Sequence, residues 1–262
     1  MEKELIEGLH VFKGNDYSLE LRIKHLLAHT SGLADYFEGN RMLGKSFSKT
    51  LMSGTDLKWS AKDALLIAKG MGPHFAPGAK GKAFYSHTNF QLLGMVLESV
   101  LKESYAVLCK KYIIDPLGLK STYVYQDPFD RRPKDMYYKN NMLSIPNAMS
   151  CFGPDGGVVS TAEEFLRFTE SFFKGKLFPL SYIDDLQQWN RIFSPLQSGV
   201  GIHLFELPLF IGHSGLSGAL AYFCPSENIF IAGTVNQVDR PDLSFRIMIK
   251  MVLLLKKFKA DA

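Results

Sequence analysis

The sequence is poor in cysteine and in long apolar runs, and each shortage excludes a class of protein. Its three cysteines, Cys109, Cys151 and Cys224, are an odd number without paired spacing, so they indicate neither a disulfide framework nor a zinc knuckle. No apolar run approaches the length of a membrane span, so we expect no membrane-spanning segment. The start, Met1-Glu2-Lys3-Glu4, lacks a signal-peptide pattern. As written, the sequence predicts a cytoplasmic protein, and an extracytoplasmic one if an export signal precedes it.

The sequence also lacks a strong excess of either charge. Lysine and arginine number 30 and aspartate and glutamate 26, and the resulting net charge of +4 is too small to indicate a nucleic-acid partner. The composition, 46% hydrophobic and 21% charged over 262 residues, is typical of a globular protein that buries a substantial core. We therefore expect residues 1–262 to form a single domain.

Apolar periodicity divides this domain into two parts. Residues 19–190 are predicted to be mainly helical, with helices at 19–30, from a Ser60/Asp63 capping box onward, from Phe90 onward, at 104–113 and at 181–189. Short apolar and aromatic segments then predict strands at 199–205, 209–213, 219–224 and 229–235, separated by turn signals at 206–208 and 225–228. Asp242 can cap a terminal helix that covers the sheet. The pattern predicts an α+β fold: a helical region, then an antiparallel sheet with a covering helix.

A polar run, Tyr85-Ser86-His87-Thr88-Asn89, stands at the entrance of the helix predicted from Phe90. Thr88 or Asn89 can cap that helix, which gives both residues a structural role. Tyr85 and His87 have no such explanation. A tyrosine can act as a general acid or base where nearby cations lower its pKa, and the alternative is a buried tyrosine with a satisfied hydroxyl.

Two histidines lie four residues apart, and His25 and His29 could present two metal ligands on one helix face. No glutamate lies between them, and no spacing indicates a third ligand. We therefore expect no metal site, and hydrogen bonding at a helix end explains the pair better. A metal hydrolase is a distant alternative.

Several motifs, in their order along the chain, resemble the serine β-lactamase and penicillin-binding-protein superfamily. The resemblance is to the branch that holds class C β-lactamases, D-alanyl-D-alanine carboxypeptidases and related esterases. The matching segments are Ile23-Lys24-His25-Leu26-Leu27-Ala28-His29-Thr30-Ser31-Gly32-Leu33, Tyr85-Ser86-His87, Pro116-Leu117-Gly118-Leu119, Gly156-Gly157-Val158-Val159-Ser160-Thr161-Ala162 and Gly212-His213-Ser214-Gly215. The resemblance extends from about Leu9 to the terminal helix and implies a β-lactamase/transpeptidase-like fold.

The resemblance also implies an acyl-transfer site that needs no cofactor. Tyr85 would carry the proton and His213, a cation or donor near it, would assist, so both are candidate catalytic residues. The backbone N–H of Leu216 would be one oxyanion donor. His87 stands where the family more often has asparagine or aspartate, which weakens the expectation of a β-lactam substrate. The substrate-binding positions implied are His87, Ser214, Gly215 and Leu216.

The nucleophile is not identified by the sequence. The family's first motif, Ser-x-x-Lys, belongs upstream of the His-Thr-Ser-Gly segment, and this sequence does not contain it there. Three Ser-x-x-Lys strings, beginning at Ser46, Ser99 and Ser171, occur in the wrong order, and we interpret them as coincidence. We therefore expect the N-terminal part of the fold to be missing. A sheet edge left uncovered in this way could support self-association.

Two functions from different classes remain open at this point. The first is a serine hydrolase that forms an acyl-enzyme with a D-alanyl peptide, a β-lactam or a small ester. The second is a non-catalytic module that binds a peptide or a cell-wall fragment on a degenerate fold. The Tyr85 and His213 motifs favour the first, whereas the absent nucleophile motif favours the second. Both imply a small-molecule or peptide partner.

Overall fold

The computed structural model describes residues 3–39, 44–206 and 209–260, so Met1 and the predicted turn residues Leu207-Pro208 lie outside it. The α-helices are α1 Lys3–Ile6, α2 Ile23–Leu27, α3 Phe47–Met52, α4 Ala61–Met71, α5 His87–Leu101, α6 Tyr105–Cys109, α7 Asp115–Leu117, α8 Pro146–Phe152, α9 Ala162–Phe173, α10 Ser181–Leu186 and α11 Pro241–Ala260. Single 3₁₀ turns occur at Ser18–Glu20, Gly153–Asp155 and Pro225–Glu227, and a π turn at Lys110–Ile114. None of the described helices has the length and apolar character required to span a membrane.

The β-strands form one large sheet and three small ribbons. The strands are β1 Val11–Phe12, β2 Asn15–Asp16, β3 Tyr123–Val124, β4 Met136–Tyr138, β5 Asn141–Leu143, β6 Val158–Val159, β7 Asn190–Phe193, β8 Leu196–Ser198, β9 His203–Phe205, β10 Phe210–Ser214, β11 Leu220–Cys224 and β12 Ile229–Gly233. The large sheet has the order β12-β11-β10-β9-β8-β7, with every neighbouring pair antiparallel. The predicted α+β architecture, with its C-terminal antiparallel sheet, is confirmed.

The terminal helix α11 covers one face of the sheet, as predicted. Its Met248 and Val252 are buried against Phe210 and Tyr222, the two large aromatic residues of the sheet core. Burying side chains of this size stabilises a fold by about 1.5–3 kcal/mol each. No strand among the described residues pairs with the outer side of β12, so the sheet has an open edge there. Self-association through this edge stays a prediction.

A separate aromatic core holds the helical region together. Phe47 and Trp59 stack at 4.9 Å between ring centroids, and Tyr36, Phe37 and Phe152 pack edge-on around them. The capping box predicted at the start of α4 is confirmed, since Ser60 Oγ accepts the Asp63 N–H and the Asp63 carboxylate accepts the Ser60 N–H. This core holds the segment after α2 that contains Tyr36 and Phe37 in place. That segment forms one side of the site described below.

Helix α5 begins at His87, earlier than predicted, and the expectation that Thr88 or Asn89 caps it is wrong. Both side chains lie inside its first turn and bind the preceding motif segment instead. The Thr88 hydroxyl donates to the Ala34 carbonyl at 2.7 Å, and the Asn89 side-chain oxygen accepts from the Ser31 hydroxyl at 2.6 Å. These bonds attach the start of α5 to residues 31–36.

Candidate active site

Tyr85 lies where the helical region meets the sheet, and imidazole rings surround it. The His29 ring stacks on the Tyr85 ring with centroids 4.3 Å apart. His87, two residues on, meets it edge-on at 5.2 Å, and His203 of β9 does so from the sheet at 5.9 Å. The structure therefore places the tyrosine predicted from sequence at the centre of a junction between the two parts of the fold.

His213 contacts this junction indirectly, because a second histidine, His203, lies between its ring and Tyr85. His203 was not identified as a site residue from the sequence. The rings of His203 and His213, on the neighbouring strands β9 and β10, stack at 3.9 Å. It is the His203 ring that contacts Tyr85, and both of its nitrogens are buried without a hydrogen-bond partner among the described residues. The sequence does place a histidine on each of two successive strands, His203 and His213. It does not give the strand register, which pairs Gly212 with His203 and brings the two rings together.

His29 is held by hydrogen bonds, as expected for a histidine at a helix end. Its Nδ1 accepts from the Ser86 N–H at 3.2 Å and from the Asn89 amide at 3.0 Å. Burial lowers the pKa of His29 to about 3, so the ring is neutral. His25 Nδ1 accepts the Arg22 N–H at 3.4 Å. Within the described residues, no group of three or more histidine, cysteine or acidic side chains could hold a metal ion.

His87 forms an ion pair that sequence analysis missed. Its Nδ1 lies 3.0 Å from Asp35 Oδ2, and the other Asp35 oxygen accepts the Phe37 N–H at 2.9 Å. Burial lowers the pKa of His87, but the hydrogen bond and charge of Asp35, with Asp155 and Glu38, outweigh burial and raise it. Burial lowers the pKa of His203 and of His213, which favours their neutral forms. Of the histidines around Tyr85, His87 is therefore the one whose environment favours the cation, and the cation or donor role of His213 stays a prediction.

A second, partly buried carboxyl group, that of Asp155, lies near this pair. Asp155 accepts hydrogen bonds from the Tyr36 hydroxyl at 2.8 Å and from the Gln91 amide at 3.0 Å. Burial raises the pKa of Asp155 to about 7. Burial, followed by the charges of Asp35 and Asp155, raises the pKa of Tyr85, so the lowered pKa that the sequence analysis set as a condition for acid-base work is not found. Tyr85 therefore keeps its proton at neutral pH.

Replacing His87 by asparagine tests the ion pair. We expect His87→Asn to destabilise the fold by about 1–3 kcal/mol at pH 6, the usual cost of losing a hydrogen bond to a charged group. Because the folded-state pKa of His87 is raised above its ordinary 6.5, this stabilisation is fully present below pH 6.5 and is lost as the pH rises through the folded-state value. Urea unfolding of wild type and variant at pH 6 and pH 9 measures the difference. A difference that does not shrink at pH 9 would contradict the assignment, and Asp35→Asn should reproduce the pH dependence.

The order of these segments along the chain matches a known family. The Beta-lactamase family model matches residues 12–250. The chain belongs to the beta-lactamase family. It is also 33% identical over 103 residues to Penicillin-binding protein 4* of Bacillus subtilis (strain 168). That match covers 39% of this chain and 21% of the relative, so the chain spans about a fifth of that curated relative's length.

Solved structures share the fold over most of the chain. The D-stereospecific amidohydrolase from Streptomyces sp. superposes with a TM-score of 0.73 and 25% identity, covering 90% of this chain and 74% of that one. The D-amino acid amidase from Ochrobactrum anthropi SV3, complexed with L-phenylalanine amide, superposes with a TM-score of 0.74 at 19% identity, covering 94% and 75%. The predicted β-lactamase/transpeptidase-like fold is therefore confirmed.

The segment Gly212-His213-Ser214-Gly215, which resembles a motif of the family, forms the end of β10 and the start of the turn that follows it. The Gly215 N–H donates to the Ala219 carbonyl at 2.7 Å, and the Gly218 N–H returns to the Gly215 carbonyl at 3.0 Å. Ser214 is the last residue of β10. Within the described residues it forms no hydrogen bond with α5. Leu216 lies at the tip of the turn, 42% exposed, and its N–H makes no hydrogen bond within the described residues. Its role as an oxyanion donor stays a prediction.

The three Ser-x-x-Lys strings lie on three different helices, and their interpretation as coincidence stays a prediction. Ser46 is the N-cap of α3, and its hydroxyl accepts the Lys49 N–H at 3.3 Å. Ser99 lies three turns along α5 from His87, roughly 18 Å at the 1.5 Å rise per residue of an α-helix. Ser171 lies in the last turn of α9, the helix that packs beside β11 and β12. The nucleophile therefore stays unassigned.

Proposed function

We propose that this chain carries a β-lactamase-type acyl-transfer site for a small amide, ester or β-lactam substrate, with Tyr85 as its proton carrier. The observation that supports it best is the position of Tyr85, whose ring is enclosed by His29, His87 and His203 at the junction of the two parts of the fold. Family membership supports the same reaction class. The names of the two amide hydrolases that share the fold favour amides of amino acids among these substrates.

In this proposal each group has a defined task. A serine hydroxyl attacks the carbonyl carbon, the carbonyl oxygen becomes an oxyanion, and backbone N–H groups such as that of Leu216 stabilise it. Tyr85, which holds its proton at neutral pH, gives that proton to the departing nitrogen or oxygen and takes up the proton that the serine hydroxyl loses, so its hydroxyl is unchanged after acylation. Water then hydrolyses the acyl-enzyme and restores the serine. The serine that attacks is the one component that the proposal leaves unassigned.

Intact-mass spectrometry of the purified chain tests the proposal. We expect incubation with a penicillin to add the mass of the whole antibiotic, because ring opening releases no leaving group. An activated ester should add only its acyl group, because the alcohol departs. Peptide mapping should locate both adducts on one serine, and urea-unfolded protein should give neither. This control separates a reaction at a folded site from general acylation of the chain.

The alternative is a binding module that performs no chemistry. It is favoured by the raised pKa of Tyr85 and by the absence, within the described residues, of a serine hydroxyl hydrogen-bonded to a base at the junction, where Ser86 uses its backbone N–H to reach His29. Protein that is shown to be folded by circular dichroism but forms no adduct with either reagent would contradict acyl transfer and support this alternative.

A further inference from the structure

A basic groove borders the chain segment that carries His29, since Ala28 and Thr30 line it. Its volume is about 450 Å³, within the range of small-molecule sites in proteins. The charged residues that line it are Arg22, Lys24 and His25, and no carboxylate of the described residues lines it. Trp189, with Gln188 and Asn190, forms the facing wall. We use the name basic groove for this cavity.

The two strong cations of the basic groove have no acidic partner among the residues that the structure describes. Arg22 and Lys24 are both exposed, and neither forms an ion pair with any described carboxylate, although ten such pairs exist elsewhere in the described part of the chain. Burial, and after it the charges of Arg22 and Lys24, lower the pKa of His25, which shows that positive charge converges on that ring. Like charges at close range repel each other, so an anion bound between them would relieve the repulsion.

The remaining walls of the basic groove are rigid. The indole of Trp189 packs with Leu186, Ile202 and Leu204 and lies so close to Gly199 that a Cβ there would come within 2.9 Å of it. The His25 ring is held against Gly78 in the same manner, with Nε2 3.0 Å from where a Cβ would stand. A flat aromatic face beside fixed donors and mobile cations suits a ligand with an organic body and an anionic group.

The basic groove shares a wall with the candidate active site. Ala28 and Thr30 line the groove, while His29 between them stacks its ring on Tyr85. The Gly201 N–H donates to the Leu27 carbonyl at 3.0 Å, so the groove also spans the junction between α2 and the sheet. A ligand bound here would lie against the residues on either side of His29.

We propose that the basic groove is a binding site for an anionic small molecule, whose phosphate or carboxylate group is held by Arg22 and Lys24 and whose body lies against Trp189. This site is separate from the acyl-transfer site and does not depend on the reaction proposed there. Phosphate and carboxylate groups are both held by such cations, so the ligands to be tested must include one of each.

Tryptophan fluorescence provides a direct test because the chain has 2 tryptophans, of which Trp59 is buried in the helical core and Trp189 lines the groove. The probes are inorganic phosphate and N-acetyl-D-glutamate, titrated at constant ionic strength against chloride. We expect at least one probe to change the emission of Trp189 saturably and Trp189→Phe to remove that change. The double variant Arg22→Gln, Lys24→Gln should weaken binding about tenfold or more, because two charge-assisted contacts are lost.

A matched control removes two charges elsewhere. Lys134→Gln with Lys139→Gln, beside and within the β4–β5 hairpin, should bind the probes with wild-type affinity. Three results would each overturn the proposal: no saturable change with either probe, the same response with chloride alone, or unchanged affinity in the Arg22/Lys24 double variant. If phosphate alone saturates the signal, the ligand class is phosphorylated; if the acetylated amino acid alone does, it is a carboxylate. Urea unfolding of each variant confirms that it is folded.

Discussion

Removal of one hydroxyl, in Tyr85→Phe, is expected to slow acyl-adduct formation by about 100-fold or more. A positioned general acid or base typically contributes a factor of this size. The phenylalanine ring keeps the stacking on His29 and the edge contacts with His87 and His203, so the enclosure of the site should be retained. Time-resolved intact-mass measurement with the activated ester gives the rate constant for each protein.

The matched control for that experiment is Tyr112→Phe. Tyr112 is 53% exposed in the π turn after α6, so the same loss of a hydroxyl there should leave the rate unchanged. Adduct formation in Tyr85→Phe at the wild-type rate would show that the Tyr85 hydroxyl takes no part in the reaction. An equal slowing in both variants would point to a general change in the protein instead.

Gly32→Ala is expected to have the largest effect on stability, at least about 3 kcal/mol. Gly32 has φ +79°, and a Cβ at this position would stand 2.0 Å from the Phe75 carbonyl oxygen. The segment cannot easily move aside, because the His74 N–H donates to the Gly32 carbonyl at 2.8 Å. Loss of this turn would also displace Ser31, which binds Asn89 at the start of α5. Urea unfolding followed by circular dichroism measures the change.

Gly54→Ala separates backbone strain from steric collision as causes of the expected loss of stability in Gly32→Ala. Gly54 has a similar φ of +85°, but no atom lies within 4 Å of where its Cβ would stand, so the substitution should cost only about 1–2 kcal/mol of backbone strain. The additional loss in Gly32→Ala therefore measures the collision with Phe75. Equal effects in the two variants would mean that the neighbouring loop moves away without cost.

Local sequence patterns predicted the large sheet well where the strands are apolar. The strands predicted at 209–213, 219–224 and 229–235 were each observed within two residues at their ends, because alternation of apolar side chains reports directly on a half-buried strand. Strands β7 and β8 were missed because their residues, such as Asn190 and Gln197, carry no such alternation. Pairing in the folded sheet, of β8 with β9 and of β7 with β8, is a tertiary effect that determines their structure.

Helix α2 shows the opposite error. The apolar pattern predicts a helix over 19–30, but the α-helix covers only Ile23–Leu27 and His29 has φ +56°. The periodicity correctly identifies buried Leu26, yet it contains no information on the bonds that Ser86 and Asn89 make to the His29 ring. Those bonds come from a segment almost sixty residues away, and they hold the chain out of the helix.

The candidate site was predictable as a set of motifs and not as a geometry. Tyr85 and His87 were found because a polar run at a helix entrance needs an explanation, and His213 was found through the family resemblance. Asp35 was missed because its partner His87 lies 52 residues further along the chain. A single aspartate in a loop carries no sequence pattern that indicates an ion pair. Each missed residue takes part in a contact between distant parts of the chain, and a local sequence pattern does not report such contacts.

The order of strands in the large sheet determines the entropic cost of loop closure when the sheet forms. Every strand from β7 to β12 pairs with its neighbour in the chain, so the sheet can form by successive short loop closures, each with a small entropic cost. The bonds that form the site close far longer loops, up to the 119 residues between Tyr36 and Asp155. Contacts of high sequence separation form slowly, so the sheet is expected to fold early and the Tyr85 junction to become ordered last.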